Sequence, residues 1–371
     1  MSKPNNLYED IDHSVPWSPK LDNILPGLSW HWWYWLCFID NPDEPSKPRQ
    51  FMILWSTKYT EDMKVNEKRW SQGKPPKRVG NKLTFNGMTA AWWYDGKDMH
   101  DPILLEQRDF QVSEHGESGE LRPLQNQGDY SFRGNPDRYR VNLVDERNDF
   151  RFELTPWNEY LQEHRFKEKG YTKKYSYNIS KIYGMRLQGE IGSEKISGTG
   201  YFQRVNINSP VTPWYWALVH CSTGSFIHSF NVYIGPQMFR SKAKPRSKLD
   251  WGDIFLSRSL MFYHRETDTE HKFRRKNISV KHYFKNGTPY IRIKGEDSEK
   301  RLHMEIEAYS RAVWRIQQPR KFGMKCILYY NEFPGILKTF EFETKDGSIG
   351  VTKDDLGTTS SHFEHAWGKL L

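Results

Sequence analysis

The chain is poor in helix signals and cysteine, and it lacks long apolar runs and the familiar catalytic motifs. Its three cysteines, Cys37, Cys221 and Cys326, fall in apolar runs at no metal-ligand spacing. So small and odd a number reads as reduced core thiols in a cytoplasmic protein, not a disulfide framework. Mean hydropathy of −0.85 argues against an integral membrane protein. The apolar stretch 24–39 is too short to cross a bilayer and carries His31. Residues 1–17 are polar and acidic, unlike a secretory signal. There is no Gly-x-Ser-x-Gly elbow, phosphate loop, dinucleotide Gly-x-Gly-x-x-Gly or His-Glu-x-x-His. Nothing calls for a cofactor or a metal. The nearest approach to a metal cluster is His362 and Glu364, which would share one face of a strand, with His365 opposite.

What is abundant is aromatic: 15 Trp, 20 Tyr and 21 Phe in 371 residues. Such side chains favour half-buried pleated surfaces. Residues 156–169, with Thr155 as cap, suggest a short helix or an extended loop, and 61–69 a helical turn. Elsewhere the period is two, with turns at Asp95-Gly96 and Asn286-Gly287. Many short strands joined this way predict an antiparallel all-β protein whose sheets close as barrels or sandwiches.

Two tryptophan-rich strands echo one another. One runs Ser29-Trp30-His31-Trp32-Trp33-Tyr34-Trp35, the other Pro213-Trp214-Tyr215-Trp216. A second echo links 198–205 with 358–366, so each half opens and closes alike. This predicts two domains related by duplication, 1–208 and 209–371. Both Trp strands are apolar on both faces, so each needs a second partner: the other domain, a covering loop or a ligand. Truncating Trp32 should then cost at least as much stability as ligand affinity. His220 and His228 flank the turn 222–225. A three-residue loop over 223–225 would set them opposite one another on one aromatic face, whereas a two-residue loop would split them.

The net charge is +9. The clusters 240–248 and 272–276 read as solvated loops and lack any nucleic-acid motif. They suit no specific nucleic acid, although weak contact with an anionic membrane surface fits the charge.

Three short motifs give a resemblance. His31-Trp32-Trp33-Tyr34, Gly198-Thr199-Gly200-Tyr201 and Trp214-Tyr215-Trp216 with its Thr223-Gly224 turn resemble the carotenoid hydratase (hydroxyneurosporene synthase-like) superfamily, with related patterns in tocopherol cyclases and fungal lipocalin-type Diels–Alderases. The resemblance implies two lipocalin-like β domains and a site for a bulky hydrophobic molecule, isoprenoid or polyene. It implies cofactor-independent hydratase, cyclase or isomerase chemistry, in which an acid protonates an alkene and aromatic faces steady the cation. Two family carboxylates are replaced here, by His31 and Gln203. That leaves Tyr201, His220 and His31 as proton-handling candidates, with Trp32, Trp33, Tyr34, Gln203, Trp214, Trp216 and His228 shaping the pocket. A non-catalytic carrier, or an interaction module with a sealed domain interface, are the alternatives.

Overall fold

The computed structural model describes residues 16–17, 24–72, 75–125, 128–163, 166–170, 176–235, 253–319 and 325–368. The all-β expectation holds. The first half contributes β1 (Ser29–Ile39), β2 (Arg49–Lys58), β3 (Thr60–Val65), β4 (Lys68–Gln72), β5 (Lys77–Val79), β6 (Lys82–Tyr94) and β7 (Met99–His115). Then come β8 (Ser118–Pro123), β9 (Asp129–Asn135), β10 (Arg138–Val144), β11 (Asp149–Pro156), β12 (Phe166–Gly170), β13 (Ser176–Ile191) and β14 (Glu194–Asn208). The second half contributes β15 (Trp214–Cys221), β16 (Phe226–Ile234), β17 (Ile254–His264), β18 (Thr269–Phe273), β19 (Ile278–Lys285) and β20 (Thr288–Glu296). It ends with β21 (Lys300–Ala308), β22 (Ala312–Pro319), β23 (Lys325–Thr344), β24 (Gly350–Thr352) and β25 (Thr359–Gly368).

The first sheet runs β11-β10-β9-β8-β7-β6-β2-β1-β14-β13, and β11 pairs with β13, so it closes into an antiparallel barrel. Closure leaves these strands no free edge. The second sheet runs β18-β17-β16-β15-β25-β23-β21-β20-β19 around its own core. Each Trp strand lies between the second and last strands of its half: β1 between β2 and β14, and β15 between β16 and β25.

Strand alternation then sorts the aromatics. On β1, Trp33, Trp35, Cys37 and Ile39 fill the barrel, while Tyr34, Leu36 and Phe38 join a core shared with the second sheet. On β15, Tyr215, Ala217 and Val219 fill the second sheet's core, and Trp216 and Leu218 enter the shared one. The other half is therefore the second partner of both strands.

Trp33 stacks on Phe85 with ring centroids 5.6 Å apart, and its indole N–H donates to the Pro16 carbonyl at 2.7 Å. Trp32 is only half-buried. The main stability cost therefore moves to its neighbour. Trp33→Ala is expected to lower unfolding free energy by about 3–5 kcal/mol, and Trp32→Ala by clearly less. Urea midpoints test this, and equal shifts in the two variants would contradict it.

Three local expectations need correction. The helix is a single turn, α1 (Glu159–Glu163), and its cap is Asn158, whose Oδ1 accepts from the Leu161 N–H at 2.9 Å. Thr155 is still in β11. Residues 61–69 are not helical. They belong to the β3–β4 hairpin, which turns at Asn66 (φ 52°) and pairs through Val65 with Ile316 of β22. An open strand edge on the second sheet outweighs the weak local helix preference there. In the β15–β16 hairpin the loop has three residues but begins one position earlier than expected. Cys221 N–H donates to Ser225 O at 3.0 Å, and Gly224 has φ 91°. His220 therefore faces Phe226, and His228 faces Leu218. The two histidines share a face, as expected, but are not opposite one another.

Of the basic clusters, 240–248 lies outside the described residues, and 272–273 end β18 ahead of a 3-10 turn at Arg275–Asn277. All three cysteines are free and buried. Among the described residues no helix is long and apolar enough to cross a membrane.

Candidate functional site

Between the sheets the shared core opens into a cavity of about 510 Å³. Residues of one parity on β1 and β14 supply one wall: Trp30 and Trp32, with Gln203, Val205 and Ile207. Trp214 and Trp216 of β15, Trp314 of β22 and Tyr330 of β23 supply another. Val65 and Trp70 of the β3–β4 hairpin line it as well. Among the described residues the wall is almost wholly apolar, and the carboxylate on it is Glu364 of β25.

Glu364 is paired in register with Glu332 of β23, and both are buried. Indole and phenol groups converge on the two carboxyls. Glu332 Oε2 accepts from Trp92 Nε1 at 2.6 Å and from Trp314 Nε1 at 2.7 Å. Glu332 Oε1 accepts from Tyr34 Oη at 3.1 Å. Glu364 Oε2 accepts from Trp214 Nε1 at 2.7 Å. Tyr330 Oη lies between the two, 2.7 Å from Glu364 Oε1 and 3.1 Å from Glu332 Oε1.

Burial raises both carboxyls above the usual carboxylate range. For Glu332 the neighbouring Glu364 charge raises it further. For Glu364 the donors Trp214, Tyr330 and Tyr34 pull partly the other way. Two buried carboxylates this close do not both ionise at neutral pH, so the pair retains a proton. Glu332 Oε2 is filled by two indole donors, which cannot turn into acceptors, while its Oε1 meets the phenols of Tyr34 and Tyr330, which can. Glu364 is the member of the pair on the cavity wall. Burial raises the Tyr34 and Tyr330 phenols well above their ordinary value, which keeps them protonated as donors.

His362 stands beside the pair. Glu332, His362 and Glu364 bring one potential ligand atom each within 4.8 Å of one another. His362 Nδ1 lies 2.9 Å from Gln50 Oε1, and burial lowers its pKa to about 3, so the ring is neutral. The donor set does not suit a cation. Three indole N–H groups aim their hydrogens at the Oε2 atoms of the two carboxyls and none can reverse, and phenol O–H groups take up the Oε1 atoms.

Of the residues singled out from sequence, Trp32, Gln203, Trp214 and Trp216 line the cavity. The others lie off it. Tyr34 is buried behind the wall as a donor to Glu332. Trp33 packs inside the barrel. His228 accepts from Trp216 Nε1 at 3.0 Å. Tyr201 donates to Gln203 Oε1 at 3.1 Å. His220 lies on a separate polar hollow of about 500 Å³ toward the far end of β1, between Thr199 Oγ1 at 2.8 Å and the Tyr183 carbonyl at 2.6 Å. His31 is on the barrel-facing parity of β1, its pKa lowered to about 3 by burial and by Arg204 and Lys58. Neither histidine nor Tyr201 is on the cavity wall. The group that sequence reasoning missed is the dyad with its donors Trp92, Trp314 and Tyr330. Its visible signal was an acid on an aromatic strand face, as in Tyr330-Asn331-Glu332-Phe333.

Fold and site together define a two-sheet β protein whose aromatic cavity carries a buried carboxylic acid pair. No family model and no curated protein matches the chain. Among solved structures it is similar to a candidate AttH from Nitrosomonas europaea, at 11% identity and TM-score 0.45, covering 95% of this chain and 97% of that one. It is also similar to kievitone hydratase from Nectria haematococca, at 11% identity and TM-score 0.39, covering 96% and 94%. At these scores the likeness carries neither a family nor an activity to this chain.

Proposed function

We propose that the protein binds a bulky unsaturated hydrophobic molecule, of isoprenoid or polyene type, and converts it by acid catalysis without a cofactor. The observation that carries this reading is the buried Glu332–Glu364 pair, with Glu364 on the wall of an otherwise apolar, Trp-lined cavity. Glu364 transfers its O–H proton to one carbon of a double bond, leaving a carbocation at the other. The faces of Trp214, Trp216 and Trp314 stabilise that charge. Glu332 and its indole donors hold Glu364 in the protonated state between turnovers. The cation then has three outcomes, each returning a proton to Glu364: capture by water that gives up one of its protons (hydration), loss of a different carbon-bound proton (isomerisation), or attack by a second double bond followed by proton loss from the new cation (cyclisation). The neutral, buried His31 and His220 have no part in this scheme. The alternative reading is a carrier that binds the same ligand without chemistry.

Incubation in deuterated water with farnesol, geranylgeraniol or lycopene, followed by mass spectrometry, separates the two. Deuterium on carbon is the expected result, with added water marking a hydratase. Tight binding without deuterium in the ligand would favour the carrier.

A further inference from the structure

The cavity contains one amide whose role in the fold is only half complete. Gln203 of β14 lies opposite Tyr34 of β1 and Lys181 of β13. Tyr34 donates to Glu332, and the Lys181 charge is felt by Glu364, so this row of residues is at the acid end of the cavity. Tyr201 Oη donates to Gln203 Oε1 at 3.1 Å and fixes the plane of the amide. Among the described residues nothing accepts a hydrogen bond from Gln203 Nε2, and Gln203 is on the cavity wall. Half-buried on the cavity wall, that N–H is costly to strip of water without a replacement acceptor. It penalises a ligand that offers only hydrocarbon there and rewards one that offers an oxygen.

We infer that Gln203 is a specificity-determining contact whose Nε2–H donates to an oxygen of the ligand close to the reacting double bond, so that the substrate class is an oxygenated isoprenoid or polyene and not a bare hydrocarbon. The inference rests on the reading of the cavity as a hydrophobic ligand site. It adds the polar function the ligand must carry and where along the ligand it lies. The oxygen and the protonated carbon are both at the Glu364 end, and the hydrocarbon tail runs along Trp32 and Trp30. Those two lie on the same face of β1, and Trp30 is four residues from Tyr34, about 13 Å along the strand.

The test is equilibrium binding of geranylgeraniol and of the matching hydrocarbon without its hydroxyl, read by quenching of tryptophan fluorescence. Wild type is expected to favour the alcohol by about tenfold, the worth of one buried neutral hydrogen bond. Gln203→Leu should abolish the preference by weakening the alcohol alone, and Gln203→Met repeats the test if the leucine variant is misfolded by circular dichroism. Equal tight binding of both probes to wild type would overturn the inference while leaving the hydrophobic site standing. A preference that survives in a folded Gln203 variant would also overturn it. Binding of neither probe would overturn both the inference and the ligand-site reading beneath it.

Discussion

Glu364→Gln is expected to lower the rate of deuterium incorporation by about 10²–10⁴-fold while leaving ligand affinity within a small factor of wild type. That range is what a positioned general acid contributes. The substitution keeps the size of the side chain, an oxygen for Trp214 and an NH2 that can donate to the Tyr330 phenol, but it removes the acidic proton that can be given away. Glu332→Gln should act differently, because Glu332 is not on the cavity wall. Without the neighbouring negative charge, Glu364 loses its proton at lower pH. Activity should then fall at neutral pH and recover as the solution is acidified. Two rate profiles against pH decide the matter. Wild-type turnover in Glu364→Gln would place the acid elsewhere, and a Glu332→Gln profile superposing on wild type would remove Glu332 from the mechanism.

Acid is expected to unfold this protein at an unusually mild pH. Burial lowers His31 and His362 to about 3 and His220 to about 4, so all three stay neutral in the folded state. Unfolded, they take up a proton near their ordinary value of 6.5. Below that pH the unfolded chain binds protons that the folded chain refuses, and stability falls as pH falls. Each histidine costs about 1.4 kcal/mol per pH unit, so the three cost about 8 kcal/mol between pH 6.5 and 4.5. The acid pair works in the opposite sense. Its raised folded value means stability is lost as pH rises above the ordinary carboxyl value of 4.5. Acidification over the same window therefore returns about 3 kcal/mol for the shared proton. The histidine loss outweighs the return from the acid pair, and His228, His271 and His282, lowered by the same burial, add to it. Urea midpoints at pH 6.5 and 4.5 measure it directly. Unchanged midpoints would mean that these imidazoles are hydrated and charged in the folded protein.

The architecture was legible in the sequence because alternation is a local signal. Trp32 and Trp33 announce by their adjacency that both faces of β1 are covered, and Asn286-Gly287 marks a hairpin by itself. That turn is present, with positive φ at both residues. Walls of the cavity such as Trp214 and Trp216 followed from the same signal. The dyad did not, because its parts are far apart in the chain. Trp92 and Glu332 are 240 residues apart, and Tyr34 and Glu332 are 298 apart. The two acids are neighbours only because β23 and β25 pair in one register. Glu364 is also masked by its surroundings in the chain: between His362 and His365 it reads as a metal ligand before it reads as an acid.

The β3–β4 hairpin bears on how the chain comes together in time. It belongs by position to the first half, yet its partner strand is β22. The contact between Val65 and Ile316 joins residues 316 − 65 = 251 positions apart. On the ribosome the hairpin emerges long before the edge it will cover, and contacts of such separation form late because chain closure must come first. Trp70 and Val65 meanwhile remain without the wall they complete. The cavity is thus among the last parts of the molecule to exist, and on the proposed reading a nascent chain cannot trap a hydrophobic guest in it before both halves are made.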